Sequence, residues 1–190
     1  MKKILVVAAA AFSAAGFAQA QSATYMADPT HTAITFEAKH FGTSTLRGRF
    51  DKKEGSVTID PTAKTGKASF TIDMSSISTG VAALDTHLKG KDFFNAAEMP
   101  TAKFEGDKFL FDGSKLTSVT GNLTMLGKTA PVTLTATGFN CYDNPMFKRQ
   151  VCGGDFETTI ARSQWGMDFG LKMGLPDNIR LLIEVEAVKQ

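Results

Sequence analysis

Cysteine, excess charge and recognisable catalytic motifs are all scarce in this chain of 190 residues. The 21 basic and 19 acidic residues nearly balance and are dispersed, so there is neither a basic patch for nucleic acid nor a basic amphipathic helix for an anionic membrane. The two cysteines form no CxxC pair and have no histidine close by in sequence, which argues against a redox or metal site. No nucleophile elbow points to an acyl-transfer enzyme.

The beginning of the chain is typical of a secretory signal peptide. Residues 1–3 (MKK) form a short basic head, residues 4–15 an apolar run, and residues 18–20 (AQA) a small-residue cleavage site. The run is too short to span a bilayer as a stable anchor. We therefore expect residues 1–20 to be removed and residues 21–190 to form one exported, soluble domain. Its net charge is zero, because Lys2 and Lys3 leave with the signal.

Export places Cys141 and Cys152 in a compartment where disulfides persist, so we predict a structural disulfide between them. Closing so short a loop stabilises a protein by roughly 3 kcal/mol in the chain-entropy model. The bridged segment, CYDNPMFKRQVC, contains Asn144-Pro145 as a turn signal. It is predicted to be a pinned connection between strands.

Alternation of apolar and polar residues runs through most of the remaining chain and predicts strands with one dry face. The clearest case is the segment 116–139. Before Gly127, Leu123 and Met125 lie on one face of the predicted strand, and after it Val132 and Leu134 lie on one face of the next. This pattern predicts a β-hairpin. Similar runs recur near residues 25–28, 32–41, 46–50, 57–59, 68–74, 102–111, 156–160 and 179–185.

The period changes between residues 78 and 100. Val81, Leu84 and Leu88 are spaced as on one face of a helix, which predicts a short helix over residues 81–90 with residue 78 or 79 as its cap. The two phenylalanines at 93 and 94 follow it. This unit either covers one end of the sheet or fills the core, and the sequence does not choose between them.

Eight or nine strands joined mostly by short turns indicate an all-β fold, either a sandwich or a closed antiparallel barrel. The barrel is favoured, because closure removes strand edges that an exported protein would otherwise expose to aggregation. An eight-stranded barrel either fills its interior with side chains or leaves room for one ligand.

The segments DPTHTAITFEAKHF, THLKGKDFFNAAEMPTAKF, GNLTMLGKTAPVTL, ARSQWGM and IRLLIEVEA, taken in order, resemble the YceI-like family of bacterial lipocalin-like proteins. The resemblance runs from about residue 25 to residue 187. It implies an exported, closed antiparallel eight-stranded barrel with one short helix packed against it. It also implies an apolar tunnel that binds a long polyisoprenoid, such as a ubiquinone or a prenyl pyrophosphate, and no catalytic cofactor.

By the parity of the strands, the residues expected to line such a tunnel and bind its ligand are apolar and face one side. They are Phe36, Phe50, Phe70, Ile72, Phe104, Phe111, Leu123, Met125, Leu134, Ile160, Leu181 and Ile183, with Trp165, Met167 and Phe169 forming one mouth. Because one bulge inverts every later position on its strand, each assignment depends on an unbroken register.

The three histidines, His31, His40 and His87, are read as structural, since none has a second ligand at metal-binding spacing. Asp28 and His31 could be drawn into a triad with a distant serine, but almost any exported domain permits that drawing. Three arginines, Arg47, Arg49 and Arg162, could meet a pyrophosphate or quinone head group at a rim, although solvated arginines are the commoner case.

Two functions of different classes remain. The first is a periplasmic or secreted carrier or scavenger of long isoprenoids, which by the promiscuity of apolar contacts would also sequester lipophilic compounds such as hydrophobic antibiotics. The second is an exported lipid-acting hydrolase, which requires a buried nucleophile beside a base. The expected partner of the carrier is a lipophilic small molecule, without nucleic acid or stable membrane insertion, and the protein is a monomer or a homodimer.

Overall fold

The computed structural model describes residues 22–60 and 62–190. Strands dominate this part of the chain, and a single α-helix interrupts them. The strands are β1 (Ala23–Ala27), β2 (Ala33–His40), β3 (Ser44–Phe50), β4 (Lys53–Asp60), β5 (Thr65–Asp73), β6 (Ile77–Ser78), β7 (Thr101–Asp112), β8 (Lys115–Met125), β9 (Lys128–Asn144), β10 (Arg149–Ala161) and β11 (Asn178–Lys189), and the helix is α1 (Ala82–Lys89). The predicted signal peptide, residues 1–20, lies outside the described residues.

The strands close into a ring. The order β1-β4-β5-β7-β8-β9-β10-β11 returns to β1 through pairing of Tyr25 with Lys189 and of Ala27 with Ala187. All neighbouring pairs are antiparallel. The prediction of a closed antiparallel barrel is confirmed.

Bends in three long strands account for the remaining segments. After a bend at residues 28–32, β2 continues β1 along β11, and β3 pairs with β2 before leading into β4. Likewise β6 follows β5 and pairs with the end of β3. If β1 and β2, β3 and β4, and β5 and β6 are each counted as one bent strand, the barrel has the predicted eight strands. The bends fall at residues without a ladder partner, such as Pro29.

The predicted hairpin is formed by β8 and β9, with Met125 opposite Lys128. Its turn residues, Leu126 and Gly127, both have positive φ, at 52° and 73°. Two left-handed residues in a row form the tight turn that matches the twist of paired strands. Pro131 lies near the start of β9, as expected for a residue that donates no ladder hydrogen bond.

The two cysteines form the predicted disulfide, with 4.1 Å between their Cα atoms. The interpretation of the bridged segment as a connection is wrong, however. Cys141 and Cys152 lie directly opposite each other on β9 and β10, and the ladder continues beyond them as far as Asn144 and Arg149. This arm extends past the core, so its residues lack the apolar alternation that would have marked them as strand.

The helix packs against one end of the barrel through Leu84 and Leu88. Its predicted cap by residue 78 or 79 is wrong, since Val81 precedes the helix and supplies no side-chain hydrogen bond. Instead the backbone N–H and the hydroxyl of Thr79 both donate to Asp85 Oδ1, at 2.7 Å each. No helix among the described residues has the length and hydropathy needed to cross a membrane.

Candidate functional site

The inside of the barrel holds an open cavity of about 690 Å³. Its wall is built almost wholly of aliphatic, aromatic and methionine side chains from the inward faces of the strands and from α1. This volume lies within the range of roughly 300–1,000 Å³ that is usual for small-molecule sites. Of the two alternatives left open by the sequence, a filled interior and a hollow one, the structure has the hollow one.

Most residues that parity assigned to the tunnel do face this cavity. Their role as ligand contacts stays a prediction, but their position is that expected of a lining. The residues on the wall are Phe36, Phe50, Phe70, Ile72, Phe104, Leu123, Met125, Leu134, Ile160, Met167, Phe169, Leu181 and Ile183.

Trp165 was expected at a mouth but lies in the protein core. Its side chain is 1% exposed and packs in the main hydrophobic cluster. The indole Nε1–H donates to the carbonyl of Leu123 at 3.0 Å, which ties the short 3₁₀ helix of residues 162–165 to the end of β8. A buried indole needs such an acceptor, and here that requirement places Trp165 behind the wall.

Phe111 is also absent from the cavity lining. Two register shifts interrupt the pairing of β7 with β8, one between Gly106 and Lys108 and one between Leu110 and Phe111. The extra residue at the second shift, Thr117, is on β8, so Phe111 keeps the inward parity of Phe109. Its half-buried ring packs against the cluster of Tyr25, Ile59, Cys152 and Ala187 instead of the open space. Its absence from the lining reflects its position along the barrel, which alternation alone does not give.

The first of these shifts bears on a lining residue that the sequence analysis missed. Phe104 faces the cavity from an even position of β7, whereas Phe109 faces it from an odd one, because the extra residue at the first shift inverts the parity. Phe156 also lines the cavity and was missed, although alternation places it on the same face as Ile160. Other aromatic and methionine residues of the wall outside the prediction are Tyr25, Met74, Phe93, Phe94 and Phe139.

One end of the cavity is closed. Tyr25, Ile59, Cys152 and Ala187 form a second hydrophobic cluster there, and all four are buried. The Tyr25 hydroxyl donates to Gln150 Oε1 at 2.7 Å. Burial raises the pKa of this phenol above its ordinary value, so the ring is neutral at physiological pH.

The opposite end is open and more polar. Here the cavity is lined by Lys39, His40 and Ser44, which are exposed and flank the turn between β2 and β3. The loop of residues 166–177 and the face of α1 that carries His87 complete the rim. We call this opening the mouth.

An aromatic cluster supports the rim beside α1. The imidazole of His87 lies edge-on to the rings of Phe93 and Phe169, each with centroids 5.1 Å away, and the two phenylalanines are 5.4 Å apart. His87 Nε2 also lies 3.3 Å from Asp92. The segment 90–96 after the helix is thus joined to the loop 166–177. Of the two alternatives for the helical unit, a cover at the end of the sheet and simple core filling, the structure has the cover.

Arg162 organises the loop that forms the other side of the mouth. Its side chain is 4% exposed, and its guanidinium donates to the carbonyls of Pro176 (2.8 Å), Met167 (2.6 Å) and Phe169 (2.8 Å). Burial lowers the pKa of Arg162 from its very high ordinary value, while Asp177 and Asp168 act in the opposite direction. The residue lines the cavity, yet most of its donors serve the backbone.

The other predicted rim arginines lie on the outer surface, where each has an acidic partner. Arg47 Nε donates to Glu37 at 2.7 Å, and Arg49 Nε donates to Asp51 at 2.8 Å. Because neither residue lines the cavity, the prediction that they meet a head group at a rim is not supported by their position.

His31 and its polar neighbours, Asp28 and Thr30, do not have the geometry of a catalytic triad. Both Thr30 Oγ1 (3.1 Å) and Asp28 Oδ2 (2.9 Å) contact the same ring nitrogen, Nδ1, of His31 on the surface. A catalytic triad places the nucleophile on one ring nitrogen and the carboxylate on the other. Within residues 22–60 and 62–190 there is no group of three histidine, cysteine, aspartate or glutamate side chains that could hold a metal ion.

Comparison with known proteins finds relatives in both sequence and structure. A sequence model of the YceI-like domain matches residues 25–187. A UPF0312 protein of Pseudomonas aeruginosa is 35% identical over 198 aligned positions that cover 100% of both chains. The crystal structure of the Campylobacter jejuni YCEI protein is 28% identical, with a TM-score of 0.67 over 80% of this chain and 90% of that one. A polyisoprenoid binding domain from Saccharophagus degradans shares the fold at 15% identity, with a TM-score of 0.64 over 90% of this chain and 100% of that one.

Proposed function

The chain belongs to the YceI-like family, and we propose that it is an exported carrier that binds a long-chain isoprenoid, of the ubiquinone or polyprenyl type, in the barrel cavity. The observation that carries this proposal is the open bore of about 690 Å³ with an apolar wall. A core of this size left unfilled by its own side chains is costly to a protein unless a guest occupies it. The Saccharophagus domain, described as polyisoprenoid binding, supports the ligand class.

The energetics favour a flexible hydrocarbon. Each CH₂ group transferred from water to the cavity contributes about 0.8 kcal/mol, so a few isoprene units exceed the roughly 8 kcal/mol of a micromolar complex before association costs. Rings and thioethers on the wall, such as Phe70, Phe104 and Met125, adapt to a guest of variable shape. Such a ligand requires length and few polar contacts.

The distribution of polar side chains orients the ligand. The closed end offers the Tyr25 hydroxyl, which already donates to Gln150. The mouth offers Lys39, His40, Ser44 and His87. A lipid with a polar head group therefore enters tail first and leaves its head at the mouth, where water and hydrogen-bonding partners remain available.

Export is part of the proposal. The disulfide between Cys141 and Cys152 fits an oxidising compartment, in agreement with the signal peptide predicted for residues 1–20. The periplasm or the medium is then where the carrier meets its ligand. Cell fractionation followed by immunodetection checks this, and protein of full length confined to the cytoplasm would contradict it.

Organic extraction of the purified protein followed by mass spectrometry tests the ligand assignment directly. A stoichiometric isoprenoid is expected in the extract. Leu181 faces the cavity from β11, between Phe36 of β2 and Thr158 of β10, so Leu181→Trp should fill the bore and lower the bound isoprenoid by about tenfold or more. The matched control is Leu110→Trp on the exposed face of β7, which should leave the isoprenoid content unchanged.

A bore of this kind would also accept other lipophilic compounds, and sequestration of hydrophobic antibiotics is the extension we propose. Apolar contacts discriminate weakly between guests of similar size. Competition of a bound lipophilic dye with such antibiotics measures the effect. If no antibiotic displaced the dye while a polyprenyl lipid did, the extension would fail and the isoprenoid assignment would stand.

A further inference from the structure

Two turns at the mouth expose apolar side chains. Phe41, in the turn after β2, is 53% exposed, and Met173, in the 3₁₀ turn of residues 171–173, is 61% exposed. The turns touch, because a Cβ placed on Gly174 would lie 3.5 Å from Phe41 Cδ1. Neither side chain lines the cavity. We call the two segments, residues 39–44 and 171–175, the mouth turns.

Phe41 occupies its position at an energetic cost. Its φ of 49° is in the left-handed region, which is unfavourable for a bulky aromatic residue. Because Phe41 is half exposed, burial of its side chain offsets little of that cost. Asparagine or glycine would form the same turn without strain. Leu126 has the same left-handed conformation in the β8–β9 turn, but its side chain packs against the core, whereas Phe41 is exposed. An exposed aromatic residue in such a turn beside the mouth points to a contact outside the barrel.

The charges on the mouth turns have one sign. Lys39 and Lys172 are exposed, and residues 39–44 and 171–175 contain no acidic residue. The acids on neighbouring segments are Glu37, which accepts from Arg47 and Arg180, Asp177, which accepts from Ser163, and the exposed Asp168 and Asp92. Apolar side chains at a loop tip with lysines beside them are the arrangement that binds the interface of an anionic bilayer.

We propose that the mouth turns dock the barrel, mouth first, onto bilayers that contain anionic phospholipid. This inference rests on the proposed function, because an isoprenoid resides in a membrane and must pass between bilayer and bore without crossing water. Docked in this way, Phe41 and Met173 reach the acyl boundary, and the lysines meet lipid phosphates. The sequence analysis found no membrane-binding helix, and none is needed, since the fold brings together two turns separated by 126 residues (45–170) in the chain.

The opposite end of the barrel carries a second exposed apolar tip with basic neighbours, which is the competing docking site. Met146 is 85% exposed and Phe147 46% exposed, next to Lys148 and Arg149 at the end of the β9–β10 arm. This tip lies beyond the closed end of the cavity. A bilayer bound there would face no opening, so it would serve no exchange of ligand.

Flotation with vesicles tests the proposal. Wild-type protein should float with vesicles of equal parts phosphatidylethanolamine and phosphatidylglycerol, and less with vesicles of phosphatidylcholine alone. Phe41→Ser combined with Met173→Ser should lower the partition coefficient by about tenfold or more, because two apolar side chains no longer insert. Lys172→Glu should lower it by roughly tenfold on the anionic vesicles only, and salt should weaken binding of the wild type. Met146→Ser combined with Phe147→Ser removes the competing tip and should lower the partition coefficient less than the Phe41 and Met173 substitutions do.

Three results would overturn the proposal. They are absence of wild-type flotation, full flotation of the Phe41 and Met173 double variant, and a larger loss of flotation through the Met146 and Phe147 pair than through the Phe41 and Met173 pair. If the Phe41 and Met173 variant instead abolished a dimer seen by light scattering, a second copy of the chain would be the partner, and the proposal would fail in favour of that copy. Isoprenoid content after extraction is measured on the same preparations, so a protein that floats but carries no isoprenoid refutes the proposed function and not the docking.

Discussion

The ring of Phe36 lies over the backbone of Gly48, the residue directly opposite it on the neighbouring strand. A Cβ on Gly48 would come within 2.3 Å of Phe36 Cζ. The same relationship joins Phe70 to Gly55, across β5 and β4, where a Cβ would lie 2.3 Å from Phe70 Cδ1. Each ring thus occupies the space that a side chain on the next strand would have filled. These wall rings lie along the sheet instead of projecting across the bore, which helps to keep the cavity open.

Gly48→Ala should narrow the cavity. The added methyl group leaves Phe36 no room on the sheet, so the ring must turn toward the bore, and we expect bound isoprenoid to fall by several-fold with a loss of about 1–3 kcal/mol in unfolding free energy. Extraction with mass spectrometry and urea denaturation measure the two effects. Gly138→Ala is the control, since a Cβ there meets only Asp155 Oδ2 at 4.0 Å. Combining Gly48→Ala with Phe36→Leu should restore binding in part, and equal binding by Gly48→Ala and wild type would contradict the role assigned to the pair.

Arg162→Met should destabilise the protein by about 3 kcal/mol or more. The substitution leaves the carbonyls of Pro176, Met167 and Phe169 without their donor inside the protein, and an unsatisfied buried acceptor costs roughly 1–3 kcal/mol. Urea denaturation gives the change in unfolding free energy. The control, Arg49→Met, removes an exposed ion pair with Asp51 and should cost no more than about 0.5 kcal/mol. Equal effects of the two substitutions would show that Arg162 does not hold the loop.

Loss of the disulfide should lower the unfolding free energy by roughly 3 kcal/mol, because the bridge closes a short loop of the unfolded chain. The variant is Cys141→Ala combined with Cys152→Ala, whose sequence separation is 11. Reducing agent should destabilise the wild type by a similar amount and leave the double variant unaffected. Urea denaturation measures the unfolding free energy in each case. If reduction left that of the wild type unchanged, this account would be contradicted.

His31 and Asp28 should make stability depend on pH at both ends of the range. Hydrogen bonds from His31, and next from Thr30, lower the pKa of Asp28 to about 2, and the bond to Asp28 raises the pKa of His31 above 6.5. The contribution of His31 is therefore complete below pH 6.5 and is lost as pH rises through its higher folded-state pKa. That of Asp28 is complete above its ordinary pKa of 3.8 and is lost as pH falls toward 2.

Titration of the His31 ring protons by NMR checks the pair. Asp28→Asn should move the pKa of His31 down toward 6.5, because the neutral amide no longer favours the imidazolium. Asp51→Asn, a surface acid elsewhere on the barrel, is the control and should leave the His31 titration where it was. A His31 pKa unchanged by Asp28→Asn would mean that the contact does not persist in solution.

The inward and outward faces of most strands are properties of the sequence alone. Alternation is local, with a period of two residues, so it marks Phe36, Ile72, Leu134 and Ile183 as inward wherever the strand runs without interruption. The helix followed from local periodicity, and the barrel and the disulfide followed from local patterns together with the predicted export. Where a strand bulges, as in β7, the rule fails, and Phe104 faces the cavity from an even position while Phe109 faces it from an odd one.

Only the tertiary structure decided that the interior is hollow and which end is open. Whether a bore remains depends on the diameter of the closed ring and on rings such as Phe36 lying over glycines that are distant in sequence, and neither is a local property. The mouth is likewise assembled from segments far apart in the chain, with Arg162 holding one of them through three backbone carbonyls. Sequence alternation specifies which side chains face inward, but the space between them is set by how the strands meet around the barrel.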